Sequence, residues 1–167
     1  MNYLKRIAVI LLLFLIIIVA ISFFLPSSFH MERKIIINAD KEQVFKQVND
    51  LKNWGNWSVW ALKDPTIYNN EEAFSSQHKG SGASFNWDSK NDELGSGSIK
   101  IVLSTTNKYI ENSIDLGMSE ITGTWNFNDA EGGVEVVWGM DVDFGFNPFS
   151  KFFGLFMKGG IFQEPKW

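Results

Sequence analysis

The chain contains no cysteine, and its 167 residues include only two histidines and two arginines. Without a thiol it can form no disulfide, carry no lipid-modified cysteine and offer no thiolate to a metal or a substrate. The lysines do not cluster and the formal net charge is −4, whereas a nucleic-acid-binding surface needs a basic stripe. We therefore expect no nucleic acid among its partners and no cysteine chemistry.

Sequence signals of catalysis are also scarce. His30 follows a long apolar run and His78 lies in a polar loop, and neither has a carboxylate at ligand spacing along the chain. Asp141 and Asp143 share one face of a predicted strand. One interpretation is a carboxylate pair that does acid/base work or binds a hard cation. The other is that both belong to the solvated face of the strand, and we favour this one. The sequence thus predicts no catalytic residue, no metal site and no cofactor.

Apolar residues, in contrast, are concentrated near the start of the chain. Residues 7–25 contain no charge and follow Lys5 and Arg6. As a helix this run is about 28 Å long, enough to cross a bilayer. A cleaved signal peptide has a shorter core followed by small residues, but here the small pair Ala20 and Ser22 lies inside the run. We predict an uncleaved transmembrane anchor in the cell (inner) membrane, with the N-terminus cytoplasmic and the domain extracytoplasmic.

These features divide the chain into four segments. Residues 1–6 are predicted to be cytoplasmic, 7–25 to span the membrane, 26–31 to form a linker and 32–167 to form one domain. The chain has seven tryptophans. Such side chains bury large areas and often line apolar pockets, so the domain is expected to offer one.

Periodicity predicts a strand and a helix at the start of the domain. A β-branched run at 33–39 predicts the strand, and Asp40, with Gln43 at capping-box spacing, begins a helix that ends near Asn53. Alternation of apolar and polar residues then predicts half-buried strands at 83–88, 98–103, 109–116, 121–127 and 134–143. Their short, turn-prone connections predict an antiparallel meander.

A second helix is predicted near the end of the chain. Asn147 caps it, Pro148 takes its first position, and a stripe of five large apolar residues follows up to Met157. The pair Gly159-Gly160 then ends it. This order of elements predicts an α+β fold, a bent antiparallel sheet with helices packed on one face.

An ordered set of segments carries a resemblance to a known family. The segments are 32–39 (ERKIIINA), 44–45, 48–51, Trp54, Trp57-Ser58, Trp60, 80–87 (GSGASFNW), 123–125, 136–140 and 153–157. In this order they resemble the SRPBCC superfamily, the START-like or Bet v 1-like group labelled polyketide cyclase/dehydrase and lipid transport. Several bacterial members carry the same N-terminal anchor.

The resemblance implies a helix-grip fold, in which a bent antiparallel sheet wraps a long C-terminal helix and encloses an apolar cavity. It implies binding of a hydrophobic small molecule or lipid, and it transfers no catalytic residue. Only 161–167 follow the glycine pair. We therefore expect the C-terminal helix to be truncated, leaving a tryptophan-lined groove on the concave face.

The candidate cavity residues come from the helices and from the apolar faces of the strands. They are Trp57, Trp60, Phe85, Trp87, Ile99, Ile101, Trp125, Phe127, Trp138, Met140, Phe153 and Phe156. Two other interpretations stay open. The tryptophans at 54, 57 and 60 can plug the open end of the fold, and the strand tryptophans can be plain core.

The sequence favours a membrane-tethered domain that binds a hydrophobic small molecule or lipid without catalysis. One alternative is a cyclase- or hydrolase-type enzyme that uses the same cavity. It needs an inward titratable group, which Glu111 or Asp115 supplies only if the strand register is reversed. The other alternative is an extracytoplasmic protein-interaction module with an exposed aromatic patch.

Overall fold

The computed structural model describes residues 2–117, 120–145, 147–148 and 150–152. By its internal contacts the chain divides into two compact units. One comprises His30–Val142, and the other comprises Met1–Phe29 together with Asp143–Trp167. The sheet, the short helices and the candidate site lie almost wholly in the first unit.

The second unit contains the N-terminal helix, α1 (Asn2–Ser22). Its apolar side chains are exposed, and its length and composition suit a membrane span or a signal sequence. Carbonyl groups in the last turn of a helix lack donors from within the helix. One of them, the carbonyl of Ser22, accepts a hydrogen bond from Lys151 Nζ at 3.3 Å, so a cation lies at the negative end of the helix dipole.

Six strands form one antiparallel sheet in the order β1-β6-β5-β4-β3-β2. Their bounds are β1 (Ser28–Ile37), β2 (Ser84–Asp88), β3 (Ser96–Thr105), β4 (Tyr109–Asp115), β5 (Glu120–Ala130) and β6 (Gly133–Asp143). The first strand begins five residues before the predicted run at 33–39. The strands β2 to β6 are linked in sequence, which confirms the predicted meander, and β1 pairs with β6.

The register places the apolar members of each alternation on one face of the sheet. Phe85 pairs with Ile99, and Ile99 pairs in turn with Ile114. Ile110 pairs with Trp125, and alternate residues of β6 are buried in the same way. We call this side the inner face; its residues in β2 to β6 are Phe85, Trp87, Gly97, Ile99, Ile101, Ser104, Ile110, Asn112, Ile114, Ile121, Gly123, Trp125, Phe127, Val134, Val136, Trp138, Met140 and Val142.

A layer of helices packs on the inner face. It consists of α2 (Lys41–Asn49), α3 (Val59–Lys63) and three 3-10 helices at Leu51–Asn56, Pro65–Asn69 and Glu71–Ala73. The apolar stripe of α2 is buried as the periodicity predicted, and the rings of Phe45 and Phe127 meet edge to face at 5.3 Å. This contact fixes α2 over β5.

The helix α2 differs from the prediction at both ends. Asp40 takes the N-cap position, but its side chain makes no capping hydrogen bond, so the predicted capping box is wrong. The α-helix ends at Asn49 because Asp50 adopts an extended backbone and its carboxylate accepts from Lys52 N at 3.1 Å. That bond starts the 3-10 helix over the segment predicted to continue the α-helix.

The start of the predicted C-terminal helix is present. Residues 148 and 150–152 are helical, and Asn147 Oδ1 accepts from Ser150 N at 3.4 Å, as an N-cap does. Phe149 and residues 153–167, with the glycine pair, lie outside the described residues. The truncated helix and the open groove therefore stay predictions.

Gly97 of β3 provides a test of the packing. A Cβ at this position would lie 2.4 Å from the Trp87 ring and 2.9 Å from the carbonyl of Asp115. Since neither neighbour can move freely, Gly97→Ala should lower the free energy of unfolding by about 1–3 kcal/mol in urea titrations. Ser98→Ala, next along the strand, should change it by less than about 0.5 kcal/mol. Equal effects of the two substitutions would contradict the close packing.

Candidate ligand-binding site

Six of the seven tryptophans meet between the sheet and the helical layer. Three come from the helical layer and three from the inner face of the sheet. We call this group the tryptophan cluster; its members are Trp54, Trp57, Trp60, Trp87, Trp125 and Trp138.

Ring contacts join all six members into one chain. Trp54 is the centre, with centroid distances of 5.0 Å to Trp57, 5.7 Å to Trp60 and 6.0 Å to Trp125. Trp60 extends the chain to Trp87 at 4.6 Å, and Trp125 extends it to Trp138 at 5.9 Å. These separations are those of interacting aromatic pairs, so the cluster is a continuous aromatic wall.

Hydrogen bonds to α2 orient the helical members of the wall. Trp54 Nε1 donates to the carbonyl of Val48 at 2.9 Å, and Trp57 Nε1 donates to the carbonyl of Gln47 at 3.1 Å. These carbonyls belong to the last turn of α2, where the helix supplies no donors. The two indoles therefore cap the helix and are fixed by it.

The wall has a closed side and an open side. Trp54 and Trp87 are only 5% and 4% exposed, whereas Trp57 is 38% exposed. Trp60, Trp125 and Trp138 are half-buried. Partly exposed indoles beside buried ones offer apolar surface that is reachable from solvent, as a ligand requires.

The structure distributes the remaining candidate residues differently. Four of them are buried in the hydrophobic core: Phe85, Ile99, Ile101 and Phe127. Met140 is also buried, but it lies outside that core cluster. Phe153 and Phe156 lie outside the described residues.

A separate cavity of about 380 Å³ lies where the 3-10 helices meet β2. It is lined by Thr66, Ile67, Asn70, Ala73, Asn86, Trp87 and Asp88. Only Trp87 among these was a predicted candidate. The other residues come largely from turn-rich segments without periodicity, and the only local signal for them was the Asp64-Pro65 turn.

Three buried polar atoms of the inner face have no hydrogen-bond partner among the described residues. They are Trp87 Nε1, Trp125 Nε1 and Asn112 Oδ1. Asn112 is 1% exposed. It was not a predicted site residue, although the sequence carried a signal for it, because it is the polar member of an otherwise apolar alternation.

No Lys, Arg, His, Asp or Glu belongs to the described inner face. Glu111, on the other face, accepts from the hydroxyl of Tyr109 at 2.9 Å, and Asp115 accepts from Gly117 N. The reversed register on which the catalytic alternative depended is therefore not observed. Across residues 2–117, 120–145, 147–148 and 150–152, no three His, Asp or Glu side chains are grouped as metal ligands.

Each histidine has a carboxylate partner that is distant along the chain. His30 Nδ1 lies 2.7 Å from Asp141 Oδ1, and His78 Nδ1 lies 2.8 Å from Asp50 Oδ1. Pairing of β1 with β6 brings the first two together, and a bridge between Asp50 and Lys79 brings the second two. Asp143 Oδ1 accepts a hydrogen bond from Gly145 N at 2.7 Å.

One partly buried hydroxyl lies close to the aromatic wall. The ring of Tyr68 stacks on Phe85 at 4.9 Å, and its hydroxyl lies 3.0 Å from Ser58 Oγ. Burial raises the pKa of Tyr68 above its ordinary value of 10.0, and the Ser58 hydrogen bond opposes that shift. The phenol is thus held neutral.

This raised pKa predicts an alkaline loss of stability. The unfolded chain releases the Tyr68 proton near its ordinary pKa of 10.0, while the folded chain retains it. The stabilisation is complete below about pH 10 and is lost as the pH rises through the folded pKa. Tyr68→Phe should therefore flatten the fall in urea midpoint between about pH 9 and pH 11.

Tyr109 is the comparison for this measurement. Burial, a hydrogen bond from its hydroxyl to Glu111 and the Glu111 charge raise the pKa of Tyr109 as well. Tyr109→Phe should also reduce the fall in urea midpoint between about pH 9 and pH 11, independently of Tyr68→Phe. If Tyr68→Phe left the fall in urea midpoint with pH unchanged, the burial of the Tyr68 hydroxyl would be contradicted.

The chain is similar in sequence to one known family. The model of the family described as polyketide cyclase / dehydrase and lipid transport matches residues 28–163. No curated protein matches the chain.

Solved structures are similar in fold. An uncharacterised protein from Rhizobium leguminosarum has a TM-score of 0.50 at 15% identity, over 69% of this chain and 76% of its own. Mll3558 from Rhizobium loti has a TM-score of 0.47 at 18% identity, over 70% and 78%. The di-domain ARO/CYC BexL of the BE-7585A biosynthetic pathway has a TM-score of 0.48 at 16% identity, over 70% and 36%. The likeness to the Rhizobium leguminosarum structure supports the fold assignment.

Proposed function

This chain belongs to the polyketide cyclase/dehydrase and lipid transport family, and we propose that it binds a hydrophobic small molecule or lipid between its sheet and its helical layer. We propose further that it does so without catalysis and while tethered to the membrane. The tryptophan cluster carries the proposal. It joins a buried side to a solvent-accessible side, and family membership makes ligand binding its natural use.

The distribution of charge supports binding without catalysis. A cyclase or hydrolase needs a titratable group or a polarising cation at the reacting atoms. In the described strands β2 to β6 the charged residues lie on the outer face, whereas the inner face is apolar apart from Ser104 and Asn112. Such a surface holds a ligand by burial of apolar area and by stacking.

The ligand can be identified by mass spectrometry of the compounds that co-purify with the full chain. We expect one apolar compound in near-stoichiometric amount. Trp57→Ala removes the most exposed member of the cluster. It should lower the amount of compound retained about fivefold, because the loss of one aromatic contact weakens binding by about that factor. Leu62→Ala is the control, because Leu62 is 82% exposed and outside the cluster.

Two results would contradict the proposal. One is a purified chain that carries no apolar compound and takes up none from a lipid extract. The other is equal retention by Trp57→Ala and Leu62→Ala, which would place the bound compound away from the cluster.

The tether rests on α1, whose uncharged run follows Lys5 and Arg6. Protease added to bacterial spheroplasts should remove the domain while cytoplasmic proteins stay intact, because positive flanks stay in the cytoplasm. Replacing Lys5 and Arg6 with glutamine should leave a larger protected fraction, because Arg33 and Lys34 then dominate the flanks. Full protection of the parent chain, or a mature N-terminus near Phe23, would contradict the tether.

A further inference from the structure

The strand β2 lies at one edge of the sheet, with β3 as its neighbour on one side. The bonds to that side come from odd-numbered residues: the carbonyl of Ala83 accepts from Ile101 N at 2.9 Å, and Ser89 N donates at 3.0 Å. Residues of an antiparallel strand bond to the two sides in alternation. The backbone groups of the even-numbered residues Asn86 and Asp88 therefore point away from the sheet.

A neighbouring segment covers only the start of this edge. Ser75 N donates to the carbonyl of Ser84 at 2.9 Å, and an antiparallel bridge joins Phe74 to Phe85. Before this bridge the segment is a 3-10 helix, in which Ala73 N donates within its own turn at 3.1 Å. The chain thus leaves β2 at Ala73, and the rest of the edge lacks this cover.

Two backbone groups are left open where the cover ends. Within the described part of the chain, neither the carbonyl of Asn86 nor the N–H of Asp88 has a hydrogen-bond partner. Asn86, Trp87 and Asp88 all line the cavity of about 380 Å³. Because successive side chains of a strand point to opposite faces, a cavity that contacts all three runs along the edge. The open groups therefore face this cavity.

The cavity has an apolar floor and an acidic mouth. Ile67 and Trp87 in the floor are buried, and Ala73 beside them is half-buried. Asp88 at the mouth is exposed, and its carboxylate accepts only a neutral donor among the described residues, Ser96 Oγ at 2.6 Å. Residues 64–93 carry six carboxylates and two lysines. This excess of negative charge favours a positively charged partner.

We propose that this edge binds an extended peptide segment of a partner protein, in which an apolar residue is flanked by lysine or arginine. The segment lies beside β2, donates an N–H to the carbonyl of Asn86 and accepts from Asp88 N through a carbonyl. In such strand addition, main-chain bonds supply affinity and side-chain pockets supply specificity.

The alternation of the added strand places its side chains. Directly opposite residues point to the same face, so the residue opposite Trp87 points inward, to the floor of the cavity, and is apolar. The next residue points outward opposite Asp88, where a basic side chain forms a cross-strand ion pair. The pattern of an apolar residue between basic residues follows from these two positions.

Three peptides separate backbone pairing from charge. The lysine peptide is Ser-Lys-Val-Lys-Ser-amide, the neutral peptide has serine for both lysines, and the methylated peptide is the lysine peptide with N-methyl groups on its valine and second lysine. Each carries a neutral coumarin, and its binding to the full chain in phosphatidylcholine nanodiscs is followed by fluorescence anisotropy at low salt, with empty nanodiscs as the blank. We expect the methylated peptide to bind about tenfold more weakly than the lysine peptide, the effect of one lost hydrogen bond. The neutral peptide should bind about threefold more weakly.

Two substitutions locate the binding at the edge. Asp88→Asn keeps an acceptor for Ser96 and removes the charge, so it should abolish the preference for the lysine peptide over the neutral peptide. Glu131→Gln is the control, because it makes the same change of charge at an exposed turn outside the cavity, and it should keep the preference. Ala73→Leu fills the floor and should weaken both peptides about equally, with its urea midpoint checked against the parent chain.

Several results would overturn the proposal. They are equal binding of the lysine and methylated peptides, a lysine preference that Asp88→Asn leaves unchanged, or no binding of the lysine peptide below about 1 mM. Because Asp88→Asn changes an exposed side chain, its result does not depend on whether Ala73→Leu folds. The inference does not rest on the proposed function, which is tested by the compound that co-purifies with the chain.

Discussion

The packing of indole rings between the sheet and the helical layer is the interaction on which the rest of this domain depends. Each ring covers a large apolar area but carries one N–H that must find an acceptor when buried. The helical layer meets that demand by donating to the last carbonyls of α2. The sheet does not, since Trp87 Nε1 and Trp125 Nε1 are buried and have no acceptor among the described residues. This difference explains why the unpartnered indole N–H groups of the described residues lie on the inner face and not in the helical layer.

The alternation of the strands made the sheet predictable from the sequence. A one-residue shift would move every inward side chain to the other face, so the apolar residues of β2 to β6 determine both strand and register. The α2 boundary was less predictable, because the Asp50 carboxylate competes for a backbone donor. Such a local bond has no periodicity by which a sequence could reveal it.

The tryptophans of the site were visible in the sequence as residue types, but their contacts were not. Trp54 and Trp125 are separated by 71 positions in the chain, and only the folded topology brings their rings together. The same is true of the pairs His30–Asp141 and His78–Asp50. Asn112 shows the opposite case. Its position in an apolar series could be read from the sequence, yet its lack of a partner among the described residues depends on every atom around it.

The strand order also has a consequence for how the chain acquires its structure. The strand β1 is synthesised before the rest of the sheet, yet it pairs with β6, which ends at Asp143. The intervening hairpins can form one after another as they leave the ribosome, because their contacts are local. The sheet itself stays incomplete until β6 has emerged. Folding of this domain therefore ends with a long-range closure, and any nascent chain interrupted before β6 leaves an unpaired edge open to aggregation.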